Sequence, residues 1–313
     1  MMALKTSTTG SWPIDPYYDP VKPIRHLPVE EQDRIVHELI ERAIRNQIEL
    51  GIDILVDGQV RDDIVSLFAP KLPGYAGSAL PYRAVGPIRP ADGPITVQDY
   101  LYAKSLAGDR PLKAHITGPM TMARATFVEA ESPYASRNDP KLVRDLAKAL
   151  GQEARFLVEA GAEIVQIDEP ALADGVDLDL AFEATRQIIE SGEITFPALL
   201  ICKNVTGILD DVVTRSPVKM VSMEGNWLRH DELSHINRDY LSRCGKQIGL
   251  GCIRVRDYTV ERLTKVQNFL DLMMTRLGED NIWAAMPNCG LRPVPHDVAM
   301  RKLKVMIQAA RSL

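Results

Sequence analysis

Three side chains far apart in the sequence share one chemical theme: Cys202, Glu224 and Cys289. Two thiolates and a carboxylate are good zinc ligands, and three protein ligands leave a fourth tetrahedral position for a substrate. Each follows a short apolar run that reads as a strand. Their wide spacing leaves a plainer reading open, two buried thiols and a surface carboxylate. Further polar groups stand after other apolar runs: Thr8-Thr9-Gly10-Ser11, Asp57-Gly58-Gln59, His115 to Met120, Asp168-Glu169-Pro170, and Arg254 with Arg256. His115 reads equally as a core histidine satisfied by hydrogen bonds. The two arginines read equally as solvated surface or as an anion site.

The elements that must position these groups follow from hydrophobic patterning. Eight apolar runs read as strands: Lys5–Ser11, Asp53–Asp57, Leu112–Thr117, Glu163–Asp168, Ala198–Cys202, Lys219–Met223, Gln247–Cys252 and Asn281–Met286. Runs such as ALLIC and MVSM are almost wholly apolar, which suits strands buried on both faces. Between them, Val29–Leu50, Pro140–Ala160, Leu178–Glu190, Val260–Leu277 and Pro295–Leu313 carry apolar residues at helical spacing. Pro140 and Pro295 suit a first helical turn, and Gly161 and Gly278 follow helix ends. Alternating strands and helices predict an α/β fold, a (β/α)8 TIM barrel spanning 1–313 as one catalytic domain. An open doubly wound sheet is the alternative, weakened because no G-x-G-x-x-G follows the first run. The Pro- and Gly-rich stretch 67–98, after the second strand, reads as an insertion. It serves either as a cover for the side or bottom of the barrel or as a lid over the active face. In barrels the chemistry sits at the C-terminal strand ends, where every group named above falls.

Composition narrows the function further. The chain has 313 residues, 25% of them charged, with a net charge of -5. It shows no clustered basic footprint for nucleic acid and no apolar stretch long enough to span a bilayer. The start, Met1 to Lys5, lacks a signal-type apolar core, so a cytoplasmic protein is expected. There its four cysteines have no need to form disulfides.

At these residues the chain resembles the C-terminal catalytic barrel of cobalamin-independent methionine synthases, particularly their short single-barrel forms. The resemblance is carried by TTGSWP, GIDILVDGQVRDD, ITGPMTM, AEIVQIDEPAL, LLICKN, VSMEGN and MPNCGLRP, in that order along nearly the whole sequence. It implies a catalytic zinc, held by Cys202, Glu224 and Cys289, that binds a homocysteine thiol for attack on a methyl group. It further implies that Gly10 and Ser11 bind the amino-acid part of the substrate and Asp168 its amino group, with Asp174 near the methyl donor. Three departures stand out. Leu200 occupies the place of the zinc-binding histidine, which leaves His115 or another group to complete the site. Gln59 replaces a carboxylate that helps bind the ammonium. Arg256 falls where long forms carry a proton-delivering histidine on the catalytic face, and arginine cannot act as a general acid near neutral pH.

The expected function is therefore zinc-dependent methyl transfer to a thiol, most simply homocysteine giving methionine. The donor would be methylcobalamin, supplied through a corrinoid protein, or methyltetrahydrofolate. A thiol alkyltransferase or carbon–sulfur lyase for another anionic thiol is the alternative, motivated by Gln59 and the arginines. A non-catalytic relative is a third reading, motivated by Leu200.

Overall fold

Seven of the eight apolar runs form one parallel sheet in the computed structural model, which describes residues 4–13 and 27–313. Met1–Ala3, part of the start considered above, lie outside the described residues. The strands are β1 (Leu55–Val56), β4 (Leu112–Thr117), β6 (Ile164–Asp168), β7 (Phe196–Ile201), β8 (Met220–Glu224), β9 (Gln247–Ile253) and β10 (Ile282–Pro287), paired in that order. The first apolar run supplies the eighth stave through isolated parallel bridges. Thr6 pairs with Ala285 of β10, and Ser7 with Ile54 beside β1. Backbone bonds on both sides (Ser7 N to Ala285 O at 3.1 Å, Ile54 N to Thr6 O at 3.1 Å) close the curled sheet into a barrel.

Helices fill the crossovers. In α1 (Val29–Leu50) the buried residues Val36, Leu39, Ile40, Ala43, Ile44 and Gln47 recur every three or four positions and face the sheet. In α4 (Pro140–Glu159) Pro140 takes the first turn, and the Asp139 carboxylate caps Lys141 N at 2.8 Å. In α5 (Leu178–Gly192) Asp177 caps Asp179 N and Leu180 N. Gly161 and Gly278 both take positive φ after their helices, as their positions anticipate. The late helices start further on than their patterns suggest. Extended Arg262 delays α8 (Leu263–Leu277), and Pro295 stands just outside α9 (His296–Arg311). The short helices α3 (Pro119–Arg124), α6 (Leu209–Arg215) and α7 (Arg238–Cys244) are too brief for periodicity to reveal.

The insertion is built rather than loose. Strands β2 (Tyr75–Ala76) and β3 (Tyr82–Ala84) form an antiparallel hairpin, and β3 continues in parallel onto β5 (Thr126–Val128). Ile88 N donates to the Tyr134 hydroxyl at 2.6 Å, and Ile95 N and Thr96 N donate to the Glu153 carboxylate at 2.8 Å each. The stretch then runs into α2 (Val97–Ala107), whose apolar residues lie on several faces and so give no helical stripe.

Strand alternation separates two interiors. Odd-numbered residues of β7 and β8, such as Leu199, Ile201, Val221 and Met223, join the large core under the helices. Even-numbered Ala198 and Met220 instead join a small cluster with Ile54, Trp283, Ala284 and Met286 that plugs the barrel. The same parity puts Leu200, Ser222 and Glu224 on the inner face, above that plug.

Candidate active site

The inner face carries a buried polar ladder. Lys113 is fully buried. Its Nζ donates to Gln166 Oε1 at 2.5 Å and to the Thr8 carbonyl at 2.9 Å, and it lies 5.6 Å above the Trp283 ring of the plug. Gln166 Nε2 donates onward to Asp168 Oδ1 at 2.6 Å and to the Thr9 carbonyl at 2.7 Å. Gln59 Nε2 closes the row on Asp168 Oδ2 at 2.9 Å. Strand register makes this possible, since His115 pairs with Gln166 and Thr117 with Asp168. Burial pushes the Asp168 carboxyl up to about 6, against the lowering effect of its two amide donors and Lys113. Burial likewise drives Lys113 down to about 7, with Asp168 resisting. The pair is one buried cation and one buried carboxylate bridged by an amide.

Gln59 reaches Asp168 through an uncommon backbone. Its φ is +44°, in the left-handed region that costs a non-glycine residue energy. The turn is held on both sides. Gln59 N donates to Asp57 Oδ1 at 2.9 Å. Arg292, from the NCGLRP motif, donates to the carbonyls of Gln59 and of Asp62, the latter at 2.8 Å. Gly10 faces this turn closely, because a Cβ there would stand 2.5 Å from Gln59 Oε1.

A second motif pair explains itself in the same way. The Glu169 carboxylate accepts from Met120 N at 2.9 Å and Thr121 N at 2.7 Å, capping the first turn of α3. A Cβ on Gly118 would lie 2.9 Å from Glu169 Cβ, so GPMT and IDEP are two halves of one contact. Burial raises the Glu169 carboxyl to about 7.

Above the ladder opens a cavity of about 690 Å³. Thr9, Ser11, Gln59 and Asp168 line one side, and Leu200, Cys202, Arg256, Tyr258 and Cys289 line the other. Among the described residues, the 67–98 insertion contributes nothing to this wall. Cys202 and Cys289, at the ends of β7 and β10, reach across the mouth and form a disulfide with their Cα atoms 5.4 Å apart. This corrects the expectation of four unpaired cysteines, because that separation lies within the span of a disulfide. Cys244 and Cys252 are free, and burial pushes the Cys252 thiol up to about 12. Glu224 sits half-buried beside the mouth. Arg256 Nη2 ties it in, contacting Glu224 Oε1 at 3.1 Å and the Cys202 carbonyl at 2.8 Å. Burial raises the Glu224 carboxyl, and Arg256 opposes the rise.

Of the expected metal ligands, Cys202 and Cys289 meet, Glu224 is linked to the Cys202 backbone only through Arg256, and no three His, Cys, Asp or Glu side chains among the described residues form a ready metal site. In the reduced state the same residues provide two soft thiolates and a carboxylate, a donor set that fits zinc with one position open. Leu200, two residues before Cys202 on the same face, lines the wall where the family resemblance would put a nitrogen ligand.

Other expected residues fall elsewhere. His115 is buried beneath Thr9 and does not line the cavity. Its Nε2 lies 2.9 Å from the Thr9 carbonyl and so carries the proton, and its Nδ1 has no partner. Burial and the nearby Lys113 hold its pKa well below the usual value, leaving it neutral. Asp174 also lies outside the cavity wall, paired with Lys203 at 2.6 Å and Arg124 at 3.8 Å. Sequence reasoning passed over Lys113, Gln166 and Arg292. The first two could have been found by parity, since they share the phase of His115 and Asp168 in otherwise apolar runs.

The C-terminal strand ends of this barrel thus hold two cysteines, a glutamate and an amide-braced aspartate around one cavity mouth. The sequence model for the cobalamin-independent synthase catalytic domain matches residues 4–193 and 198–312. The methionine synthase of Methanocaldococcus jannaschii is 33% identical over 98% of both chains. The 5-methyltetrahydropteroyltriglutamate–homocysteine methyltransferase of Bradyrhizobium diazoefficiens is 31% identical over 91% of this chain and 38% of its own length. A B12-independent methionine synthase from Shewanella sp. W3-18-1, solved with selenomethionine, superposes with a TM-score of 0.81 at 25% identity, covering 99% of this chain and 97% of that one. The chain belongs to the cobalamin-independent methionine synthase family and is an enzyme of the methyltransferase class. No helix among the described residues is long and apolar enough to cross a membrane.

Proposed function

We propose that the chain transfers a methyl group to the thiol of homocysteine, giving methionine, in a zinc-dependent reaction in the cytoplasm. The observation that carries this reading is the meeting of Cys202 and Cys289 in the wall of the cavity that Asp168 also lines. Asp168, steadied by Gln59 and Gln166, offers a carboxylate to the substrate ammonium. Ser11 offers a hydroxyl to its carboxylate, next to the Gly10 backbone. Cys202, Glu224 and Cys289 would hold zinc, which when bound lowers the proton affinity of a substrate thiol and fixes its sulfur. A cytoplasmic setting keeps the cysteine pair reduced and available for that role.

The reaction forms a sulfur–carbon bond as the bond between methyl and donor breaks, with the bonding electrons staying on the donor. The thiol proton leaves to solvent. A cobalt leaving group needs no proton, whereas an amine does. Arg256, the cation at the mouth, cannot supply one. This favours a methylated corrinoid, delivered by a corrinoid protein, as the donor. Methyltetrahydrofolate is the second reading, favoured by the name of the Bradyrhizobium relative.

The test is metal content of the reduced protein, wild type beside Cys289→Ala, followed by methyl transfer to homocysteine from each donor. The expected result is about one zinc per chain, lost in the variant, with activity tracking the metal. A reduced wild-type protein that takes up no zinc would overturn the reading.

A further inference from the structure

Lys113 places a titratable amine inside the barrel, beneath the cavity and out of contact with solvent. It has no exposed surface and lies between the ladder and the Trp283 plug. Its Nζ has two hydrogen-bond acceptors, Gln166 Oε1 at 2.5 Å and the Thr8 carbonyl at 2.9 Å. An ammonium carries three N–H groups and a neutral amine carries two. Lys113 can therefore lose a proton and keep both hydrogen bonds. What the cation gains beyond them is the Trp283 face, centred 5.6 Å away, and the charge of Asp168, which Gln166 bridges to it.

Few charges face this pair among the described residues. Thr8 of the first stave and Trp283 of β10 carry none, and His115, two residues along β4, is neutral. Asp57 and Glu169 lie near Asp168, but the first accepts Gln59 N, the second caps α3, and neither lines the cavity. Gln59, the other partner of Asp168, is an uncharged amide. Asp257, across the cavity, is paired with Arg254 at 3.1 Å. One carboxylate thus already serves one buried cation, and a substrate ammonium at Asp168 becomes the second. Two cations sharing one carboxylate in a low-dielectric interior repel, and burial already drives Lys113 down to about 7. We propose that Lys113 gives up one proton to solvent as the substrate ammonium settles on Asp168, so that the ladder holds one cation at a time. The Nζ–H bond breaks with its electron pair left on nitrogen, and the buffer takes the proton. In the empty site Lys113 keeps Asp168 ionised, and in the filled site the substrate takes over that role. Lys113 acts through Gln166 and Asp168 without touching the substrate, as a positioning residue. The proposal rests on the methyl-transfer reading, which puts the amino group of an amino-acid thiol or thioether at Asp168.

Calorimetric titration of the reduced, zinc-loaded enzyme with methionine counts the proton, because a thioether has none to lose at its sulfur. Heats measured in buffers of different ionisation enthalpy give the number released. At about pH 6.5, between the values of about 6 for Asp168 and about 7 for Lys113, about one proton should leave per methionine bound, and affinity should rise roughly sevenfold from there to about pH 8. In the enzyme carrying isotope-labelled lysine, one ε-carbon resonance should move on binding to the position of a neutral amine. Lys113→Arg, whose guanidinium keeps its proton, should release none and bind methionine more weakly than the wild type at the higher pH. No release from the wild type, or an affinity that stays flat or falls over that range, overturns the exchange. So does a released proton with no lysine resonance moving, or a variant that still releases it. The wild-type count and resonance decide the matter by themselves if the barrel does not accommodate arginine. Titration with 4-(methylthio)butanoate, which is methionine without its amino group, separates this exchange from the reading on which it rests. Binding as tight as that of methionine removes the ammonium from Asp168 and overturns both, whereas selective binding of methionine without proton release overturns the exchange alone.

Discussion

Asp168→Asn isolates the substrate-binding role of the ladder, because the structure limits how the variant can respond. The carboxylate accepts Gln166 on Oδ1 and Gln59 on Oδ2. Gln166 cannot turn its amide over without giving up Lys113 on its oxygen and the Thr9 carbonyl on its nitrogen. The introduced amide must therefore keep its oxygen toward Gln166 and turn its NH2 toward Gln59, whose own amide flips to accept. One hydrogen bond is remade at a stability cost of ~1 kcal/mol. What disappears is the negative charge facing a substrate ammonium, a charge-assisted bond of about 1.5–3 kcal/mol, equivalent to roughly a 10- to 150-fold rise in KM. The assay is KM for homocysteine under saturating donor, paralleled by 4-mercaptobutanoate, which is homocysteine without its amino group. The variant should lose affinity only for homocysteine, so the two thiols converge. A change in KM of less than about threefold, or an equal change for both thiols, would refute the assignment of Asp168 to the ammonium.

Three further outcomes follow from the same geometry. Ammonium binding needs Asp168 ionised, so kcat/KM for homocysteine should fall as the pH drops below about 6. Lys113 lowers the pKa of that carboxyl, so Lys113→Met should move this acid limb to higher pH; a pH profile superimposable on the wild type counts against the coupling. Gly118→Ala forces a Cβ against Glu169 at the start of α3 and should cost about 1–3 kcal/mol in denaturant unfolding, where a neutral result would show that the motif contact is dispensable. Leu200→His puts a neutral nitrogen donor two residues before Cys202 on the same face, and zinc should then leave more slowly to a chelator, by about tenfold; no slowing would mean that the imidazole cannot reach the metal.

Much of this architecture is legible from the sequence because it is set by repeating local patterns. The apolar runs around Leu199, Val221 and Leu250 can only be strands buried on both faces, and in a barrel their ends fix where Asp168, Cys202, Glu224 and Cys289 must gather. What escaped depends on contacts between distant segments. Nothing local to Cys202 or Cys289 says that their Cα atoms approach within bridging distance across the mouth. Lys113 looks like an ordinary strand-edge lysine until register brings Gln166 beside it. Asp174 reads as a site residue until Lys203, 2.6 Å away, is found to occupy it. The left-handed Gln59 likewise depends on Arg292, which arrives from the other end of the chain.

The closure of the barrel by Thr6 and Ser7 has a bearing on how the protein is made. These residues leave the ribosome long before one of their partners, Ala285, which lies nearly three hundred positions later in β10. Until that strand emerges, the first stave has only one of its two neighbours, and the wall shared by Thr9 and Cys289 has no second half. Sequence-distant pairing of this kind is slow and exposes unpaired edges meanwhile. Synthesis interrupted before β10 should thus yield a chain with most of its helices but without the cavity wall that Cys289 completes, so the cavity forms only after that strand has emerged.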